Sequence, residues 1–167
     1  GVHVSFHADA KIKTTQKLRV ISNRQQLLRI DFETPPSREV LASKFADFKA
    51  ALPACSVVIL SDYGKGGLAH ISRMITMARN AGKKVLVDPK GDDWSRYAGA
   101  YVVTPNRSEM RDVVGAWKTA ADLERRARRL HTVFDAAAVA KDDASTRPQG
   151  NVGLVRDHDD AHALRAQ

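Results

Sequence analysis

The chain has 167 residues and a formal net charge of +8, with 27 lysines and arginines against 19 acidic residues. This length suits one domain with one core, and no apolar run approaches the ~20 residues that cross a bilayer, which argues against a membrane partner. The single cysteine, Cys55, cannot form an internal disulfide, and no basic stretch followed by an apolar run opens the chain. We therefore expect a cytoplasmic setting.

The first predicted element is a β-hairpin. Two runs with alternating side chains, residues 17–21 and 26–32, flank a short polar segment at 22–25 that fits a hairpin turn. The pair Pro35-Pro36 ends the second strand, because proline cannot donate to a sheet ladder.

The middle of the chain alternates predicted helices and strands. Ser37 caps a helix that runs to about residue 52, and strand 57–60, helix 68–81 and strands 84–87 and 101–103 follow. The run at 57–60 is apolar throughout, as strands buried on both faces are. Asn106 opens a helix to about residue 114, and Thr119 opens another to about residue 133. This order predicts an α/β layer sandwich.

The residues most suited to chemistry follow the last two strands. Asp88-Pro89-Lys90-Gly91 and the segment Asn106-Arg107-Ser108-Glu109 should meet at the carboxyl edge of a parallel sheet, where ligands bind. Asn106 and Glu109 can hold a hydrated Mg²⁺, and Lys90 can place a positive charge on a phosphate. On spacing alone, a capping box that needs no ligand is favoured for Asn106 and Glu109, and a solvated lysine in an ordinary turn also explains Lys90.

A dinucleotide site is an alternative for the loop after strand 57–60. Gly64, Gly66 and Ala69 match G-x-G-x-x-A, and Asp88 ends the next strand, as in proteins that bind NAD. However, three residues separate the strand from Gly64, whereas the fingerprint requires a tight turn.

The positive charge also raises a nucleic-acid interpretation. Four arginines, Arg125, Arg126, Arg128 and Arg129, lie on one predicted helix without the interleaved aromatic residues that stack on bases. We expect a solvated helix face there and no nucleic-acid partner.

Five segments taken together resemble a known family. Residues 17–21, 25–33, 60–66, 88–91 and 104–109 resemble, in order and spacing, the heptose phosphate kinases, a branch of the ribokinase-like (PfkB) carbohydrate kinases. The resemblance covers about residues 1–134. It implies an α/β fold, the central part of a three-layer sandwich with a β-hairpin lid at about 14–33. It also implies ATP-dependent phosphorylation of D-glycero-D-manno-heptose 7-phosphate at the anomeric position, a step toward ADP-heptose and the lipopolysaccharide core.

The resemblance also implies roles for particular residues. Asn106 and Glu109 would support Mg²⁺, and with Lys90 they would bind the phosphates of ATP. The residues that would face the sugar phosphate are Arg19, Arg24 or Gln26 of the lid, and Asp62 and Lys65 of the first loop. A homodimer through the lid is a further implication.

The chain departs from the family pattern in one important respect. No Gly-Ala-Gly-Asp occurs in the 167 residues, although this motif supplies the anion hole and the catalytic base in the family it resembles. We expect the chain alone to be nearly inactive, because general base catalysis contributes ~10² to 10⁴-fold. A non-catalytic fragment that binds a nucleotide or a partner is the alternative. Residues 135–167, rich in Ala, Asp, Arg and His, are predicted to be a weakly ordered, frame-shifted or otherwise unrelated ending.

Overall fold

The computed structural model describes the backbone of residues 1–141 and the side chains of residues 1–132. A hairpin of β1 (Gln16–Ser22) and β2 (Gln25–Phe32) comes first. The remaining elements, in chain order, are α1 (Arg38–Ala51), β3 (Val57–Ser61), α2 (Ile71–Asn80), β4 (Lys84–Asp88), β5 (Val102–Val103), α3 (Arg107–Val114) and α4 (Ala120–Lys141). Short 3₁₀ helices lie at Leu52–Ala54 and Trp94–Tyr97. The predicted α/β class and lid hairpin are confirmed.

The hairpin is a two-stranded ribbon with two chemically different faces. Asn23 and Arg24 both have positive φ, 48° and 66°, as a two-residue turn matching the strand twist requires. Cross-strand partners Leu18↔Ile30 and Val20↔Leu28 form an apolar face that is exposed in the described structure. The alternating partners Lys17↔Asp31 and Arg19↔Arg29 form a charged face on the other side. We call these the apolar face and the charged face of the lid.

The second sheet is parallel, with strand order β3-β4-β5. Its core lies on the side that packs against α2, and the buried apolar residues there include Ile71, Ile75, Val58, Leu60, Val85 and Val87. Two registered pairs, Ser61↔Asp88 and Val87↔Val103, show that the three strands end at the same edge. This edge brings the polar loops together, as the sequence predicted.

The expectation that β3 is buried on both faces is wrong for the described residues. Val58 and Leu60 are buried, but Val57 and Ile59 point to the opposite face, and Ile59 is 72% exposed. Strand β3 is at the edge of the three-stranded sheet, and the packed core lies on only one face of it within residues 1–141. The apolar run at 57–60 therefore predicted the strand correctly but did not predict which of its faces is buried.

Helix boundaries differ from expectation at two places. The Ser37 hydroxyl accepts a hydrogen bond from the Val40 amide, so the predicted cap of α1 is confirmed. Helix α2 begins at Ile71 rather than near residue 68. Helix α4 continues to Lys141, past the expected end near residue 133, and the rest of the predicted weakly ordered ending lies outside the described residues.

Within residues 1–141, no helix has the length and apolar character needed to span a bilayer.

Candidate functional site

Three loops meet at the carboxyl edge of the parallel sheet, after β3, β4 and β5. The Asp62 amide donates to the Asp88 carbonyl oxygen at 2.9 Å, and the Ser61 hydroxyl donates to the Asp88 carboxylate at 3.0 Å. The Thr104 amide donates to the Val87 carbonyl oxygen at 2.9 Å. The strands thus extend their pairing by one residue into the loops, which fixes where the following side chains begin.

At the end of β5, Asn106 and Glu109 form the capping box that begins α3. The Asn106 side-chain oxygen accepts from the Glu109 amide at 3.0 Å, and Glu109 Oε2 accepts from the Asn106 amide at 3.0 Å. The other carboxylate oxygen, Oε1, lies 3.0 Å from Lys90 Nζ. The Glu109 side chain is 10% exposed and that of Lys90 is 51% exposed. The helix start therefore satisfies its own backbone and also joins the loop after β4.

The side-chain oxygen atoms of Glu109 and Asn106 would suit a hydrated Mg²⁺ that is held mainly by phosphate oxygens. Glu109 and Asn106 present hard oxygen atoms, but each oxygen already accepts an amide or ammonium proton. Among the residues whose side chains are described, no cluster of three or more His, Cys, Asp or Glu could surround a metal ion. Mg²⁺ usually keeps several waters and needs only one or two carboxylates beside phosphate oxygens. Glu109 and Asn106 would therefore hold such an ion through water.

Asp62 is a buried junction between two of the loops. It is 5% exposed, and its Oδ1 accepts from the Gly64 amide at 2.8 Å. Its Oδ2 accepts from the Tyr97 hydroxyl at 2.9 Å and lies 3.5 Å from an Arg96 guanidinium nitrogen. These internal partners favour a structural role for Asp62, and its expected contact with substrate stays a prediction.

A cavity of about 770 Å³ lies between the lid and the loop that follows β3. Lys17, Glu33 and Thr34 line it from the lid side, and Tyr63 and Lys65 line it from the loop. An ion pair of 2.5 Å between Lys65 Nζ and Glu33 Oε1 crosses from one side to the other. This contact holds the base of the lid against the sheet.

The expected lid residues lie elsewhere on the ribbon. Arg19, Arg24 and Gln26 are exposed, and none of the three lines this cavity. Arg19 shares the charged face with Lys17, whereas the backbone of Arg24 forms the hairpin turn. Their contact with the sugar phosphate therefore stays a prediction. Of the residues expected to face the sugar phosphate, Lys65 lines this cavity.

Sequence reasoning missed Tyr97, Arg96, Glu33 and Lys17. Tyr97 and Arg96 lie in a 3₁₀ helix whose sequence, Trp-Ser-Arg-Tyr, has no periodicity that would indicate it. Lys17 and Glu33 lie in segments noted for their resemblance, but only the cavity shows that they face the loop after β3. Tyr97 had one available signal, which is its position between two loops already suspected of binding.

Two geometric observations concern the alternative interpretations, a dinucleotide site and a nucleic-acid surface, neither of which is tested by them. Helix α2 begins at Ile71, well after Gly64 and Gly66, whereas a dinucleotide fingerprint opens its helix directly. On α4, Asp122 pairs with Arg125 and Arg126, and Glu124 pairs with Arg128. These pairs fit the solvated helix face that we expected.

Comparisons with known proteins identify relatives over most of the chain. The D-beta-D-heptose 7-phosphate kinase of Bordetella bronchiseptica is 42% identical over 98% of this chain and 52% of its own length. The bifunctional protein HldE of Methylococcus capsulatus is 45% identical over 93% of this chain and 32% of its own length. No protein-family model matches the chain. The chain thus spans about half and about a third of the lengths of these two relatives.

The extent of these alignments corrects one expectation. Coverage of 98% and 93% means that both alignments continue beyond Phe134, where we expected the resemblance to end. The hypothesis of an unrelated or frame-shifted ending therefore loses its main support.

A solved structure supports the fold independently. A possible 1-phosphofructokinase of Thermotoga maritima matches with a TM-score of 0.56 at 17% identity, over 85% of this chain and 42% of that one. At this identity the match concerns the fold alone. The chain is thus homologous over most of its length to the heptose 7-phosphate kinases, and its described part has the ribokinase-like fold of PfkB-type kinases.

Proposed function

We propose that this chain provides the lid and the phosphate-binding loops of a kinase that phosphorylates D-glycero-D-manno-heptose 7-phosphate at its anomeric hydroxyl. ATP is the donor, Mg²⁺ the cofactor and the cytoplasm the setting in this proposal. The observation that carries it is the group of Lys90, Glu109 and Asn106 at the ends of β4 and β5, in a chain homologous to heptose 7-phosphate kinases.

The proposal gives Lys90 the central role at the phosphate end. Phosphoryl transfer depends mainly on positioning and on neutralising the phosphate charge. The Lys90 side chain is half exposed, and its ammonium group pairs with the largely buried carboxylate of Glu109. An incoming phosphate can therefore contact the ammonium group without unfolding the loop. Bound Mg²⁺ would supply further neutralisation, and Glu109 and Asn106 would orient its waters.

The cavity beneath the lid is proposed as the sugar phosphate site. Two cationic side chains, Lys17 and Lys65, line it and suit a substrate that already bears a phosphate. Its volume of about 770 Å³ is in the range of small-molecule pockets. Because the Lys65–Glu33 pair joins the two walls, substrate phosphate would compete with Glu33 for Lys65.

The test begins with ligand-induced stabilisation of the whole chain. MgATP should raise the unfolding temperature of the wild type, because a ligand that binds only the native state stabilises it. Lys90→Met should reduce this shift strongly, whereas the matched control Lys49→Met, in the last turn of α1, should not. A shift equal in all three proteins, or absent from the wild type, would contradict the proposed phosphate site.

A turnover assay separates catalysis from binding. We expect the 167 residues to consume ATP very slowly with heptose 7-phosphate, since they contain no Gly-Ala-Gly-Asp segment to supply the base. Binding without turnover would favour the non-catalytic alternative for this chain in isolation. Turnover at the rate of a full-length kinase would refute the expectation of near inactivity.

We also propose that a second copy of the chain covers the apolar face of the lid. Leu18, Val20, Leu28 and Ile30 are 36% to 51% exposed there, although they pair across two strands. A two-stranded ribbon is marginal by itself and gains stability from a covered apolar face. Sedimentation should show a dimer that Leu28→Lys dissociates and that Arg19→Ala, on the charged face, leaves intact. A wild-type monomer at all concentrations would exclude this arrangement.

A further inference from the structure

We propose that the hydroxyl group of Tyr97 is a positioning group that holds Lys90 in place for phosphate binding. This inference rests on the proposed function, because it concerns how the same site keeps its charged group in register. Tyr97 itself would touch neither nucleotide nor sugar, since it is 1% exposed.

The Tyr97 hydroxyl group lies within hydrogen-bond distance of three polar atoms. The Tyr97 oxygen accepts from the Lys90 amide at 3.0 Å and lies 2.9 Å from both the Lys90 carbonyl oxygen and Asp62 Oδ2. The single hydroxyl hydrogen can serve either acceptor, and the carboxylate makes the stronger bond. The hydroxyl thus accepts from the Lys90 amide while it donates to Asp62, and so it joins the backbone of Lys90 to that buried carboxylate.

The contacts of Tyr97 and Lys90 connect three loops of the sheet edge. Asp62 belongs to the loop after β3 and binds the Gly64 amide, and Lys90 belongs to the loop after β4. Lys90 Nζ reaches Glu109 in the first turn of α3, beyond β5. Tyr97 therefore stands at the buried end of a path that leads through Lys90 to the capping box. Without the hydroxyl, the Lys90 amide would lose its hydrogen-bond acceptor.

The aliphatic stem of Lys90 packs closely against the loop that follows β3. A Cβ built on Gly64 would lie 3.3 Å from Lys90 Cγ, so the loop after β3 confines the side chain from one direction. Gly64 has a φ of +68°, which a side chain would make unfavourable. With the backbone held by Tyr97 and the stem confined by Gly64, Lys90 has little freedom except toward Glu109 and the open edge.

A purely structural role for Tyr97 is the rival explanation, because its ring belongs to the main apolar core. Tyr97→Phe distinguishes the two, since it keeps the ring and removes only the hydroxyl. Loss of packing alone would change the affinity for adenosine and for MgATP alike. Loss of Lys90 positioning would weaken the binding of MgATP but not of adenosine. The measure is the phosphate-dependent ratio, which is the dissociation constant for adenosine divided by that for MgATP.

A double-mutant cycle on the full chain provides the main test. Tyr97→Phe should lower the phosphate-dependent ratio about fivefold, the scale of one lost hydrogen bond. In a Lys90→Met background, the same substitution should change the ratio less than about twofold, because Tyr97 acts through Lys90. The matched control is Tyr101→Phe, at the opposite edge of the sheet beside Lys84, which should leave the ratio unchanged.

A measurement without ligand keeps the inference independent of the proposed function. Hydrogen exchange of the Lys90 amide should be at least about tenfold faster in Tyr97→Phe, while core amides of β4 keep their protection. If wild-type chain shows no phosphate-dependent affinity, the proposed function fails, and the exchange result alone then decides the positioning role. Unchanged exchange at Lys90, or equal effects of Tyr97→Phe with and without the Lys90 side chain, would overturn the inference.

Discussion

The lid ribbon and the parallel sheet edge show two different ways of presenting charged residues. In the ribbon, almost every side chain is exposed, and the ion pairs that touch it, Arg29–Asp31 and Lys65–Glu33, are partly exposed. At the sheet edge, Asp62, Tyr97 and Glu109 are buried and are connected through Lys90 by hydrogen bonds of 2.9 to 3.0 Å. The ribbon is formed around a local turn, whereas the sheet edge depends on contacts between residues that are far apart in the chain.

This difference suggests how the two ends of the proposed site work. The sheet edge is organised before any ligand arrives, so binding there would require little ordering of protein. The lid is anchored near its base by Lys65 and Glu33, whereas its hairpin turn at Asn23 and Arg24 is exposed. We expect the phosphate end to set affinity and the lid to adapt to the sugar.

The largest expected effect tests whether stability resides in the sheet unit. Ile75→Ala removes a side chain of 0% exposure from the core beneath β3 and β4, and should lower the free energy of unfolding by about 3 kcal/mol. Leu27→Ala, at 61% exposure in the ribbon, should change it by less than about 0.5 kcal/mol. Urea denaturation of both variants measures this, and comparable losses would break the contrast.

A smaller effect compares the same kind of helix cap in two settings. Asn106→Ala and Ser37→Ala each remove an N-cap acceptor and should each cost about 1 kcal/mol of stability. Only Asn106→Ala should also weaken MgATP binding, because only that helix begins at the sheet edge. Calorimetric titration provides the comparison, and a similar loss of affinity in Ser37→Ala would count against a localised site.

Alkaline pH offers a signature of the buried hydroxyl. Burial raises the pKa of Tyr97 to about 12, against about 10 for an unfolded chain. Between these values the folded protein keeps the proton that the unfolded chain releases, so stability falls as pH rises from 10 to 12. Tyr97→Phe should show a shallower decline in thermal unfolding over that interval. Parallel curves for the two proteins would mean that the hydroxyl ionises normally in the fold.

The smallest expected effect sharpens the description of the lid. Glu33→Gln breaks the solvated pair with Lys65 and should alter global stability by less than about 1 kcal/mol. Limited proteolysis of the ribbon should nevertheless become faster, because the base of the lid is released. Resistance equal to wild type would show that other contacts hold the lid.

Local patterns in the sequence predicted much of this fold. The hairpin, the Ser37 cap and the Asn106–Glu109 capping box depend on neighbouring residues, and each appears within a residue or two of its expected position. The meeting of Lys90 with Glu109 also followed from strand order, because parallel strands end at one edge.

Features that depend on tertiary contacts were beyond prediction. The exposure of Ile59 depends on what covers the sheet, which an apolar run does not specify. The role of Tyr97 depends on a 3₁₀ turn that brings its hydroxyl against residues 35 and 7 positions away in the chain. The lining of the cavity by Lys17 and Glu33 depends on how the lid folds over the sheet.

The uncovered side of β3 has a practical consequence for work with this polypeptide. Val57 and Ile59 combine an apolar surface with the unpaired backbone of an outer strand in the described sheet, a combination that promotes association between molecules in concentrated samples. Light scattering should therefore increase steeply with protein concentration. Ile59→Lys should improve solubility without affecting nucleotide affinity, since this side chain lies on the sheet surface away from the loops.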